Sequence, residues 1–183
     1  MPRFPRLSLD DVTADQRPLA EQILKVSSIG LTGPYNPLLR SPVLGQRMFD
    51  LLRYLRWDTS LPLHLNEFAI LIIGRLWHSQ VEWYAHVPIA LKAGLRSALI
   101  EDLRANRRPT DMADDEAAVY DFVTELHETH KLSDETFARA KRILGEQQVV
   151  DLAAVSGTYV TVAMLIAMAG ETIPEGKPLP LPY

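Results

Sequence analysis

Three side chains that can transfer protons, Glu67, Glu82 and His86, lie close together in the sequence. Glu67 begins a run of apolar residues, so we expect it to enter a buried helix. Glu82 and His86 are four residues apart, which places them on one face of the next helix. Imidazole titrates near neutral pH, and carboxyl groups close to a histidine can differ widely in pKa. These residue types suit general acid–base chemistry, with His86 as the candidate proton carrier.

Each of these residues alone also has a purely structural interpretation. Ser79 and Glu82 match a capping box, in which each side chain binds the backbone amide of the other residue. Glu82 and His86 can form a modest surface contact at one-turn spacing. Glu67 can stabilise the first turn of a helix through its charge.

Candidate substrate-binding groups cluster at the same junction between two predicted helices. Tyr84 is a candidate oxyanion donor, and Arg75 is a candidate anion anchor, with a structural ion pair as its alternative. Arg40 is a weaker candidate anchor. The predicted substrate-binding set comprises Trp77, His78, Ser79, Trp83, Tyr84 and Arg75. We expect the acid–base residues to converge in one pocket lined by Trp77, Trp83 and Tyr84.

The sequence contains no cysteine, which excludes a thiolate nucleophile, a redox thiol, a disulfide and a cysteine-based zinc site. His127 and His130 have a spacing that can bind a metal on a helix. No third ligand accompanies them, so we expect them to lie at a solvated helix end. We therefore predict that this pair holds no metal.

Apolar periodicity predicts helices throughout the chain, and hence an all-α bundle. The predicted helices cover residues 15–28, 42–57, 60–77, 80–93, 95–106, 114–130, 133–144 and 146–169. The predicted helix stops are Gly30, Gly94, Gly145 and Gly170. The last segment is rich in β-branched residues, so a pair of strands is an alternative there, although its length favours a buried helix.

The chain of 183 residues suits one domain. We divide it into an N-terminal arm at 1–14, a helical domain at 15–170 and a proline-rich tail at 171–183. A net charge of −4 argues against bulk electrostatic binding to nucleic acid. The longest apolar stretch, at 68–77, is too short to span a membrane, and the N-terminus lacks the apolar region of a secretory signal. We expect a cytoplasmic protein with a small-molecule substrate and no nucleic-acid or membrane partner.

Residues 66–94 resemble the signature of the carboxymuconolactone decarboxylase / alkylhydroperoxidase-D-like superfamily. In peroxidase members, a glutamate is followed twelve residues later by Cys-x-x-Cys, with a histidine four residues after the second cysteine. These positions fall here on Glu67, Ser79, Glu82 and His86. The flanking segments YNPLLRSPVL and LSDETFARAKRILGEQQVVDLAAVSGTY are also similar to family segments, so the resemblance spans residues 35–170.

Ser79 and Glu82 stand where a peroxidase has its thiols, which excludes thiol peroxidase chemistry. The resemblance to the decarboxylase branch implies cofactor-free loss of CO₂ from a γ-lactone acid, a step of aromatic catabolism. Glu67 would orient or tune His86, and Glu82 would be a second acid–base group. We expect an enzyme of this type that decarboxylates or isomerises a small carboxylated lactone or a related enolisable acid.

Two other functions stay open. One is a related lyase, isomerase or hydrolase that uses the same acid–base set on another ring. The other is a non-catalytic binding or structural oligomer of the same superfamily that has lost the thiols.

The resemblance implies a homo-oligomer, either a trimer or a hexamer. Residues 149–169 are too uniformly apolar for a solvent-exposed helix, so burial on most sides is expected. The tail at 173–183 has no core of its own, and its leucines and Tyr183 are expected to lie along a neighbouring subunit. The alternative is a monomeric bundle with a disordered tail.

Overall fold

A computed structural model describes residues 2–27 and 29–182 of the chain. These residues form an all-helical bundle without a β-strand. The α-helices are α1 Arg17–Val26, α2 Tyr35–Leu38, α3 Pro42–Arg53, α4 Leu63–Leu76, α5 Gln80–Lys92, α6 Ser97–Arg104, α7 Asp114–Thr129, α8 Asp134–Leu144 and α9 Glu146–Ala169. A π-helical turn, Tyr54–Asp58, follows α3 directly. The predicted fold class is confirmed.

The predicted helices match the observed ones closely, with three differences. The link after Gly30 contains the short helix α2, which was not predicted because the glycines and prolines there favour turns. The helix predicted at 42–57 ends as an α-helix at Arg53 and continues as the π-helical turn. The end predicted for the first helix, at Ser28, lies outside the described residues.

The centre of the bundle is α4, which is buried on nearly every side because almost all its residues are apolar. It packs against α5, α6, α7 and α9. A smaller apolar cluster joins α1, α2 and α3. Glycines with positive φ follow α5, α8 and α9, as the sequence predicts.

The longest helix, α9, is long and apolar enough to cross a membrane by length and composition alone, which corrects the prediction that residues 68–77 are the longest apolar stretch. Half of its most apolar window is buried inside the fold. The segment is a helix and not a pair of strands.

Both ends of the described chain fold back on the bundle. Arg3 donates from Nη1 to the carbonyls of Ala167 and Met168, which lie in the last turn of α9. In the tail, Leu181 is buried in the main core and exchanges two hydrogen bonds with the side chain of Gln80, at 2.9 and 3.0 Å. Apolar contacts in its own subunit therefore hold Leu181, whereas Leu179 is exposed, and the contact of the tail with a neighbouring subunit stays a prediction. Tyr183 lies outside the described residues.

Candidate acid–base site

A tight turn between α4 and α5 brings the two helices into an antiparallel pair. His78 in this turn takes a left-handed backbone conformation with φ of 50°, and the Ser79 amide donates to the Gly74 carbonyl at 2.8 Å. Gly74 faces α5, where a Cβ atom would lie 3.7 Å from Cβ of Glu82. The two helices run antiparallel from this turn, so Glu67 on α4 lies opposite His86 on α5.

Glu67 and His86 form a buried pair. Nδ1 of His86 lies 2.7 Å from Oε2 of Glu67, and the two residues are only 6% and 1% exposed. With Glu67 ionised, Nδ1 carries the proton and donates it, which leaves Nε2 as the basic nitrogen. No described residue is hydrogen-bonded to Nε2. The ring of Tyr159 packs edge-on against the imidazole, with 5.2 Å between the ring centroids.

Among the residues that the structure describes, Glu82 is buried without a hydrogen-bond partner that would stabilise a charge on its carboxyl group. It is 3% exposed, and neither carboxyl oxygen has a hydrogen-bond partner of normal geometry in the described part of the chain. Burial raises the pKa of Glu82 to about 8, and the neighbouring Ser79 hydroxyl offsets part of that rise. Glu82 therefore holds its proton at neutral pH.

The capping-box interpretation of Ser79 and Glu82 is wrong. Ser79 is the N-cap residue of α5, but its side chain makes no capping hydrogen bond. The Ser79 amide is already bonded to Gly74, so Glu82 is not needed there and turns into the interior.

A cavity of about 70 Å³ lies beside these residues. Glu82 and His86 form part of its wall, whereas Glu67 lies behind His86. The other polar side chains on the wall belong to Tyr35, Arg56 and Tyr159, together with Ser27 at the rim. The remainder of the wall is apolar and consists of Val26, Ile29, Pro34, Leu52, Val81, Ala85, Ile89, Val162 and Ile166.

Tyr35, Arg56 and Tyr159 are absent from the predicted site. They come from α2, the π-helical turn and α9, all outside residues 66–94 in the sequence. Tyr159 is a polar group within a long apolar segment, which is the one signal that could have singled it out. Burial raises the pKa of both tyrosines, and the Arg56 charge opposes that rise in both.

The predicted aromatic wall is not observed. Trp77 is 40% exposed at the end of α4, and Trp83 is fully buried in the core on another side of α5. Tyr84 lines a separate surface groove with Pro88 and Ile173. The sequence period of α5 alone cannot show which faces meet the cavity, because this helix is apolar on most sides.

The other predicted binding groups also lie off the cavity wall. Arg75 is half-buried in the last turn of α4, and His78 is near Gln80, with 3.3 Å between their side-chain nitrogens. Arg40 binds the carbonyl of Pro5 and holds the N-terminal arm. His130 ends α7 in a left-handed conformation, and the described residues contain no group of three metal-binding side chains.

Comparison with known structures shows the fold. An uncharacterized peroxidase-related protein from Ralstonia eutropha JMP134, with the alkylhydroperoxidase AhpD core, matches this chain with a TM-score of 0.79. The match covers 95% of this chain and 93% of that one, at 15% sequence identity. No protein-family model matches the sequence, and no curated protein matches it. The chain has the AhpD-like fold without any cysteine.

Proposed function

We propose that this protein is a cofactor-independent acid–base enzyme of the carboxymuconolactone decarboxylase type. It decarboxylates or isomerises a small carboxylated lactone or a related enolisable acid. The observation that supports this proposal best is the placement of two different proton-transfer groups on one cavity. One is the imidazole of His86, paired with Glu67, and the other is the neutral carboxyl group of Glu82.

The two groups suit opposite steps of such a reaction. His86 has one nitrogen fixed by Glu67 and the other without a hydrogen-bond partner among residues 2–27 and 29–182, as a general base requires. Glu82 keeps its proton at neutral pH, as a general acid requires. Without cysteine, the same positions cannot reduce a peroxide.

In decarboxylation, the bond between the substrate carbon and its carboxylate breaks, and CO₂ leaves. The electron pair passes into the conjugated carbonyl and forms an enolate. Glu82 donates its proton to the enolate, and His86 relays a proton from solvent to restore Glu82. In isomerisation, His86 removes a proton from carbon, and Glu82 protonates the far end of the same enolate.

The test is proton NMR in D₂O with unsaturated γ-lactone carboxylic acids and β,γ-unsaturated monocarboxylic acids. It follows loss of substrate, release of CO₂ and deuterium entering carbon. We expect His86→Ala and Glu82→Gln to lower the rate by about 100-fold or more. Two matched controls lie off the cavity, His64→Ala and Glu128→Gln, and should keep the wild-type rate. Failure of the wild-type protein to turn over any of these acids, or full activity of His86→Ala, would exclude the proposal.

A further inference from the structure

Arg56 places a positive charge on the wall of the acid–base cavity. It is half-buried, and among the described residues no carboxylate forms an ion pair with it. Its Nε atom is buried without a hydrogen-bond partner. The guanidinium carbon lies 4.7 Å from the centroid of the Trp57 ring. Such stacking uses the face of the guanidinium group, and the Tyr35 hydroxyl interacts with its edge, where the remaining N–H groups are available.

The cavity offers this cation no internal counter-ion. Glu82 is neutral at neutral pH, and the phenols of Tyr35 and Tyr159 keep their protons because burial raises the pKa of each. Glu67 is behind His86 and is hydrogen-bonded to it. The rest of the wall is largely apolar. A cation facing such a wall is compensated when an anion enters.

The π-helical turn that carries Arg56 is fixed on both sides. Before Arg56, the Leu55 carbonyl accepts a hydrogen bond from Nδ2 of Asn66 at 2.8 Å. After it, Asp151 accepts hydrogen bonds from the Thr59 hydroxyl and the Ser60 amide, both at 2.9 Å. These bonds come from α4 and α9, so the backbone of the turn is held in place before any ligand arrives.

The charges on the wall limit the ligand. The cavity is small, about 70 Å³, and Arg56 is the cation that the described part of its wall offers. One cation compensates one anionic charge, so an acid with a single carboxylate suits this wall.

Resting on the acid–base function above, we propose that Arg56 binds the carboxylate of the substrate, and that this substrate is a small enolisable monocarboxylate. Two parallel N–H···O bonds would hold the carboxylate, and the adjoining carbons would lie against Glu82 and His86. This assigns to Arg56 the anchoring role that the sequence suggested for Arg75.

The test is binding of but-2-enoate, measured by calorimetry, with its neutral amide as a matched ligand. But-2-enoate has six non-hydrogen atoms, and the amide has the same shape without the charge. We expect Arg56→Gln to weaken binding of but-2-enoate at least tenfold, and the wild-type protein to bind the amide at least tenfold more weakly than the acid. Arg53→Gln removes an exposed arginine three residues earlier and should bind like the wild type.

Wild-type affinity in Arg56→Gln, equal affinity for acid and amide, or no binding of but-2-enoate to the wild type would each overturn the inference. The comparison of acid with amide needs only the wild-type protein, so it holds even if Arg56→Gln fails to fold. Binding is measured without turnover. If but-2-enoate binds through Arg56 and no acid is converted, the proposed function fails while the anion site stands.

Discussion

At the residue scale, Glu67 and Glu82 show how environment gives one residue type two roles. Glu67 is buried but has a partner, since Nδ1 of His86 binds its carboxylate. Glu82 is buried without one, so desolvation decides its charge and favours the neutral form. A carboxyl group that keeps its proton and an imidazole held at one nitrogen thus lie on one cavity.

The first prediction concerns stability and pH at Glu82. The pKa of Glu82 is about 8 in the folded protein, above the ordinary value of 4.5. At pH values between 4.5 and 8, the folded protein therefore holds a proton that the unfolded chain has released. This contribution to stability is fully present below pH 4.5 and is lost as pH rises through 8. Between pH 5 and pH 8 we expect the wild type to lose about 3 kcal/mol relative to Glu82→Gln.

The measurement is urea unfolding of both proteins at several pH values in this window. Glu128→Gln serves as the control, because Glu128 is exposed. Parallel stability curves for wild type and Glu82→Gln would mean that Glu82 ionises like a surface carboxylate.

Sequence reasoning could predict the half of the site that lies within one helical hairpin. The spacing of Glu67, Glu82 and His86 is local, and the structure brings all three together. Arg56 and Tyr159 line the cavity because the π-helical turn and α9 pack against this hairpin. A short sequence pattern cannot predict such packing. The same limit explains the misplaced aromatic wall.

At the element scale, the π-helical turn is the feature that local pattern could not predict. The apolar period of α3 favours an ordinary helix to residue 57. Asp151 instead accepts hydrogen bonds from Tyr54, Thr59 and Ser60, so a contact from α9 reshapes the end of this segment. Such widened turns are frequent at functional sites, and this one carries Arg56.

The second prediction concerns the contact between α3 and α2. A Cβ atom at Gly45 would lie 2.6 Å from the carbonyl oxygen of Leu38 and 2.7 Å from a methyl group of Leu19. The carbonyl belongs to the backbone and cannot move aside easily. We expect Gly45→Ala to lower the free energy of unfolding by about 2 to 3 kcal/mol in urea denaturation.

Gly74→Ala is the matched control for this substitution. It also adds a methyl group to a buried helical glycine, but its nearest neighbour would be 3.7 Å away. Alanine favours a helix over glycine by up to about 1 kcal/mol, so we expect no loss of stability. Equal destabilisation by the two substitutions would show that α3 and α2 are not in close contact.

At the scale of the whole molecule, α9 leaves one apolar stripe uncovered. Exposed residues recur every three or four positions along this helix, at Val150, Ala153, Gly157, Thr161, Met164 and Met168. The opposite face is buried in the bundle. An uncovered apolar stripe on the longest helix favours assembly.

The third prediction is that copies of the chain associate through this stripe as a trimer or hexamer. Light scattering after size exclusion should give a mass of three or six times 20.6 kDa. Gly157→Glu with Met164→Glu should reduce the mass, because charges would be buried at the contact. Val43→Glu, at an exposed valine on α3, should leave it unchanged. A wild-type mass of 20.6 kDa at micromolar concentration would contradict the prediction.

The proposed chemistry requires Glu82 to be neutral beside the Glu67–His86 pair at neutral pH. Carbon NMR of protein labelled with ¹³C at the glutamate carboxyl groups and titrated from pH 4 to 10 measures the charge of Glu82. We expect one carboxyl signal, missing in Glu82→Gln, to titrate with a midpoint near 8. If the signal lost in that variant titrates near 4.5 instead, Glu82 is ionised at neutral pH and cannot be the general acid.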